Sequence, residues 1–279
     1  MFSFPVYIFL RIVGFFFAHL PRALDQFLFH LLWPMYRITH TTELSRVSSH
    51  LDAASLRPKP QRAQIYEAIF LNALDSLRYL TGISKMESQV HIVNRNLLQN
   101  QLNSQNPVVV VSIHTGAFEM MHRALAKQGR AVNLIASHHH HPGVDRFLRK
   151  VRSFGNLHIF RPDEAPKLLH SLIRKKGIVA MMADQSRHGK GNRVDFLGRP
   201  NQLWLRLAID ACQEGAAVIT FRAMRKGGFH VLKFENLYPP RTPPHELLRQ
   251  ITGEFERWIL ENPEQWTWNY PRLWIMDKD

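Results

Sequence analysis

The run Val108-Val109-Val110-Val111-Ser112-Ile113 constrains the fold more than any other stretch of the chain. It is apolar without alternation and rich in β-branched side chains, the mark of a strand buried on both faces. Such strands belong to parallel sheets covered by helices on either side. Further strand-like runs stand at 131–136, 157–160, 178–183, 216–222 and 229–235, and helical patterns at 61–80, 117–128, 143–153, 165–176, 202–214 and 245–261. This alternation predicts an α/β fold: a single domain with a mostly parallel central sheet flanked by helices. No internal repeat and no long linker divides the chain, and its 279 residues, 45% of them hydrophobic, can bury a sizeable core.

The N-terminus follows another rule. Phe2 to Leu20 is almost wholly apolar and rich in Phe, with Arg11 in its middle, and after Pro21 a second apolar segment runs from Phe27 to Met35. A charged leader and a small-residue cleavage site are both missing, so a signal peptide is not expected. Arg11 and His19 weigh against a comfortable bilayer span. Two short apolar helices edged by arginine predict an apolar helical platform lying on a membrane. The formal charge of +14 suits an anionic membrane surface or an acidic carrier protein. Nucleic acid is not an expected partner, because charge alone points to it and no binding motif accompanies the charge.

Val108–Ile113 leads straight into His114-Thr115-Gly116-Ala117-Phe118-Glu119, which reads as strand, tight loop and helix. About one His followed five residues later by an acid is expected by chance, and the chain holds four: His114/Glu119, His140/Asp145, His158/Asp163 and His230/Glu235. Only the first sits at a strand-to-helix junction with glycine in the turn. Histidine there is a candidate base, and Glu119 a candidate partner to fix its tautomer and stabilise its charged form. The competing reading is a polar loop histidine beside a helix. In parallel sheets ligands bind beyond the carboxyl ends of the strands. Asp184, after 178–183, and Arg222, after Val218–Phe221, are placed on the same rim.

No metal or other cofactor is expected. His138-His139-His140-His141 precedes Pro142, and adjacent residues cannot all face one ion, so the run predicts a solvent-exposed loop. The lone Cys212 falls in an apolar helical stretch and reads as core.

The chain resembles the lipid A late acyltransferases, the lauroyl/myristoyl transferase branch of the lysophospholipid acyltransferase-like superfamily. The resemblance rests, in order, on several pieces: the apolar N-terminus, the His-x-x-x-x-acid box at His114–Glu119, and the arginine-bearing helix Phe147-Leu148-Arg149-Lys150-Val151-Arg152. Ala183-Asp184-Gln185, Val194–Gly198 and Asn262-Pro263-Glu264-Gln265-Trp266-Thr267-Trp268 complete it. Departures fall at Arg199-Pro200-Asn201-Gln202, at Tyr270-Pro271-Arg272 and before residue 60, where donor or acceptor recognition would lie.

The resemblance implies a membrane-associated acyltransferase at the cytoplasmic face of a bacterial inner membrane. Residues 1–50 would form the membrane-associating helices and 51–279 the acyltransferase domain. The enzyme would move a fatty acyl group from a thioester of acyl carrier protein or CoA to a hydroxyl of a lipid acceptor, such as a lipid A precursor. His114 would be the general base and Glu119 its orienter. Arg152 or Arg149 would serve the oxyanion or substrate, Asp184 would orient that arginine or the acceptor, and Arg187 and Arg222 would hold anionic groups. An apolar groove should lead from His114 into the protein. The competing function is a non-catalytic lipid-binding or membrane scaffold protein of the same fold.

Overall fold

The computed structural model describes residues 3–54, 56, 59–81, 85–153, 155–185 and 191–271. Four helices come first: α1 (Ser3–His19), α2 (Asp25–Thr39), α3 (Thr41–Ala53) and α4 (Arg62–Thr81). Then follow β1 (Val90–Val93), α5 (Arg95–Asn103), β2 (Val108–Ser112), α6 (Glu119–Ala126), β3 (Val132–Ile135), α7 (Pro142–Arg152), β4 (Leu157–Phe160), α8 (Ala165–Lys175) and β5 (Ile178–Met182). The chain continues through β6 (Asn192–Phe196), β7 (Arg199–Leu203), α9 (Arg206–Gln213), β8 (Ala217–Lys226), β9 (Phe229–Tyr238) and α10 (Pro244–Glu261).

Seven strands form one sheet in the order β1-β9-β8-β2-β5-β3-β4. All neighbours are parallel except β8 and β9, which pair antiparallel as a long hairpin. This is the expected α/β architecture with a mostly parallel sheet. β2 lies at its centre, and its alternate residues feed two cores. Val109 and Val111 pack with α8, α9 and α10, whereas Val108 and Val110 pack with α5 and α6. That is why the sequence shows no apolar–polar alternation there.

The N-terminal helices follow a different packing logic. α1 lies on α7 and α4. Gly14 permits that approach, since a Cβ there would meet the Phe147 ring at 3.3 Å. The Arg146 guanidinium covers the Tyr7 ring at 4.8 Å. Beneath them Arg78 forks onto Asp25 at 2.5 and 2.7 Å and donates to the Leu20 carbonyl, locking the α1–α2 corner to α4. The outer faces are bare: Phe4, Phe9, Phe15 and Phe16 on α1, and Phe27, Leu31, Met35 and Ile38 on α2, are all more than half exposed. No single helix among the described residues is long and apolar enough to cross a membrane. The pair Phe4–His19 and Arg22–Thr39, bent by 104°, meets that test together.

Two expectations need correcting. The helix expected at 202–214 begins at Arg206, because 199–203 is the second strand of the antiparallel hairpin β6–β7. The strand expected to stop at Arg222 runs on to Lys226, paired with β9.

Candidate active site

β2 and β5 are parallel neighbours with Ser112 opposite Met182. Two residues further along each chain stand His114 and Asp184, so the register that builds the sheet also brings these two side chains together. The His114 Nδ1 lies 2.7 Å from Asp184 Oδ1, and the His114 backbone N–H donates to Asp184 Oδ2 at 3.0 Å. The same Oδ2 accepts from the indole Nε1 of Trp266 at 2.8 Å. Burial works to raise the Asp184 pKa, but the His114 ring and these hydrogen bonds outweigh it and hold the carboxyl below the usual carboxylate range. An ionised Asp184 at Nδ1 fixes the ring so that Nε2 carries the lone pair. The His114 side chain keeps 19% of its exposure against 1% for Asp184, so the ring opens outward from a buried carboxylate. Phe118 meets the ring edge-on at 4.7 Å.

A strap at residues 262–268 holds the loop after His114. Thr115 and Trp266 form an isolated bridge, Gly116 N–H donates to the Gln265 carbonyl at 3.0 Å, and Thr267 N–H donates to the His114 carbonyl at 3.2 Å. The Gln265 side chain in turn grips both backbone groups of Arg225. Gly116 has a φ of +54° and sits so close to β8 that a Cβ would lie 2.6 Å from the Ala223 carbonyl oxygen. Trp266 and Trp268 are buried and edge-on to each other, and the His50 Nδ1 on α3 lies 2.7 Å from the Trp268 carbonyl.

Glu119 does not hold His114. It takes Arg152 in a fork, with Nε at 3.0 Å and Nη2 at 2.5 Å, and His122 Nδ1 at 3.1 Å. Burial would raise its pKa, but Arg152 and His122 drive it well below the carboxylate range. As the first residue of α6, Glu119 faces α7, and Arg152 from the end of α7 meets it. Glu119 is thus not at the ring as expected: the carboxylate that meets His114 is Asp184, 70 residues on.

The remaining candidates disperse. Asp184 orients His114 rather than an arginine. Arg152 is engaged by Glu119 and is not free for an oxyanion. Arg149 pairs with Asp145 at 3.2 Å beside His138. Arg222 is mid-strand and buried, bound to Glu261 at 2.5 Å and to the Trp258 carbonyl, so it does not join the rim. Arg187 lies outside the described residues. His114 does not line the four cavities bounded by Trp33–Ala63, Asn236–Arg257, Gln105–Gly177 and Gln64–Gln265, so the expected apolar groove is not one of these. Among the described residues no group of three or more His, Cys, Asp or Glu is placed to hold a metal.

A family model described as bacterial lipid A biosynthesis acyltransferase matches residues 70–274. No curated protein sequence matches the chain.

Proposed function

Because the chain belongs to the bacterial lipid A biosynthesis acyltransferase family, and is thus an acyltransferase, we propose that His114 is its general base and that a fatty acyl thioester of acyl carrier protein or CoA is its donor. The carrying observation is the 2.7 Å contact between His114 Nδ1 and the buried Asp184, which leaves Nε2 to receive a proton. Nε2 takes the proton of the acceptor hydroxyl as its oxygen attacks the thioester carbon. The C–S bond then breaks, and the thiolate leaves with the proton returned from the imidazolium. Asp184 stabilises that transient cation without accepting its proton. The amides of Ala117 and Phe118 have no backbone acceptor among the described residues and stand at the start of α6, suited to the oxyanion. Arg152 and Glu119 act as positioning residues that dock α7 against α6.

The exposed aromatic and aliphatic faces of α1 and α2 support attachment to an anionic bilayer, at the cytoplasmic face of the inner membrane, where a lipid acceptor such as a lipid A precursor is presented. The test is acyl transfer from acyl carrier protein or CoA thioesters to a lipid A precursor, followed by mass spectrometry of the lipid. Transfer by the intact protein and its loss in His114→Ala are expected. Full transfer by a folded His114→Ala variant would overturn the reading.

A further inference from the structure

Arg37 on α2 and Arg62 at the start of α4 line one cavity, and neither has a carboxylate partner among the described residues. Arg22, Arg78, Arg152, Arg161, Arg206 and Arg222, by contrast, each meet a carboxylate. The two carboxylates of α3 bond elsewhere. Glu43 accepts from Tyr36, Tyr66 and Asn269, and Asp52 pairs with Lys59. The cavity measures about 570 Å³, the size of a small-molecule site, and has the hydroxyls of Thr41 and Ser45 on its α3 side, with Ser48 turned back onto the Leu44 carbonyl, and Trp33 on its α2 side. Two exposed arginines, two hydroxyl donors and a lining that holds no carboxylate form a donor set for a tetrahedral oxyanion. Thr41 and Arg62 also open their helices, so the dipoles of α3 and α4 add to the same sign.

We propose that the cavity between α2, α3 and α4 binds a phosphate group, with Arg37 and Arg62 forking onto its oxygens and the Thr41 and Ser45 hydroxyls donating to the rest. Trp33 supplies a flat wall for whatever carries the phosphate. The site is separate from His114 but is not isolated from it. α3 runs from the cavity to His50, which abuts the carbonyl of Trp268, two residues beyond the indole that holds Asp184. The phosphate comes from a lipid headgroup or from a soluble ester, and the two sources are separable.

The experiment uses the full chain in mild detergent. Inorganic phosphate is titrated by calorimetry. In parallel, retention is measured on phosphatidylcholine vesicles with and without phosphatidic acid. Arg37→Gln and Arg62→Gln are expected to weaken phosphate binding roughly tenfold each, the usual worth of a charge-assisted contact. Arg174→Gln, a surface arginine outside the cavity, should change nothing. Loss of phosphatidic-acid-dependent retention in the same two variants assigns the site to a lipid headgroup, and unchanged retention assigns it to a soluble ester. Both arginines are exposed and the variants should melt like the parent in phosphate-free buffer. Equal weakening by all three substitutions, or no phosphate binding by the folded parent, would overturn the proposal.

Discussion

Two of the histidine–aspartate pairs among the described residues have nearly the same contact distance and opposite surroundings. His114 Nδ1 meets Asp184 at 2.7 Å, and His230 Nε2 meets Asp75 at 2.9 Å. The second pair is completely buried, and Asp75 is also held by Arg22 at 2.9 Å and Arg78 at 3.1 Å, with Arg225 at 3.5 Å. It ties the N-terminal helices to the β8–β9 hairpin. The first pair has a buried carboxylate but an open ring, and the carboxylate's other partners are an indole and a backbone amide. On the proposed reading of His114, contact distance does not distinguish a base from a bolt. Access to the second ring nitrogen does, together with whether the carboxylate's remaining capacity is spent on one imidazole or on several cations.

The comparison breaks most sharply in turnover. His114→Ala should lower acyl transfer by about 10²–10⁴-fold. It should leave the melting temperature near that of the parent, because Asp184 keeps the Trp266 indole and the amide of residue 114. Asp184→Asn should cost activity on the same order of magnitude, since an amide can hold the ring in the wrong tautomer. The other pair should respond in reverse. Asp75→Asn leaves buried cations uncompensated and should cost about 3–5 kcal/mol in denaturant unfolding, with turnover per folded molecule retained. If Asp75→Asn abolished turnover in a fully folded protein, the division between base and bolt would fail.

Acid sharpens the contrast. The folded pKa values of Asp184, Asp75 and Glu119 are all depressed. Their contribution to stability is thus complete above the ordinary carboxylate range near pH 4 and is lost as pH falls through the lower folded values. Melting curves from pH 7 downward should show this loss, and Asp75→Asn should flatten it. Glu119→Gln should cost less activity than His114→Ala, because Glu119 grips Arg152 and not the base. The smallest effect is expected from His140→Ala and His158→Ala. Both rings are exposed, and the variants should stay within about 0.5 kcal/mol of the parent with unchanged transfer.

Periodicity carried the sheet well, because Val108–Ser112 and Ile178–Met182 are buried on both faces and nothing else competes for such runs. It missed β6 and β7, whose sequences Asn-Arg-Val-Asp-Phe and Arg-Pro-Asn-Gln-Leu are mostly polar and read as loop. It also passed over β1 and α5, short elements of four and nine residues at the sheet edge. At the site, His114 and Asp184 were each legible as strand-end residues. Their pairing was not, since strand order and register are long-range facts that local spacing does not encode. The five-residue offset to Glu119 was visible and drew the wrong partner. Trp266 carried a signal as an indole beside Trp268, but its bond to Asp184 depends on the strap folding back across the sheet.

That strap has a consequence for the order in which the protein comes into being. Trp266 lies 82 residues beyond Asp184, and its bridge to Thr115 closes the loop after His114. During synthesis the apolar helices α1 and α2 leave the ribosome well before the indole that steadies the carboxylate is made. On the proposed reading, a growing chain would meet a bilayer long before His114 is poised as a base. Acyl transfer on that reading would start only once the strap has been made and has folded back onto the loop after His114.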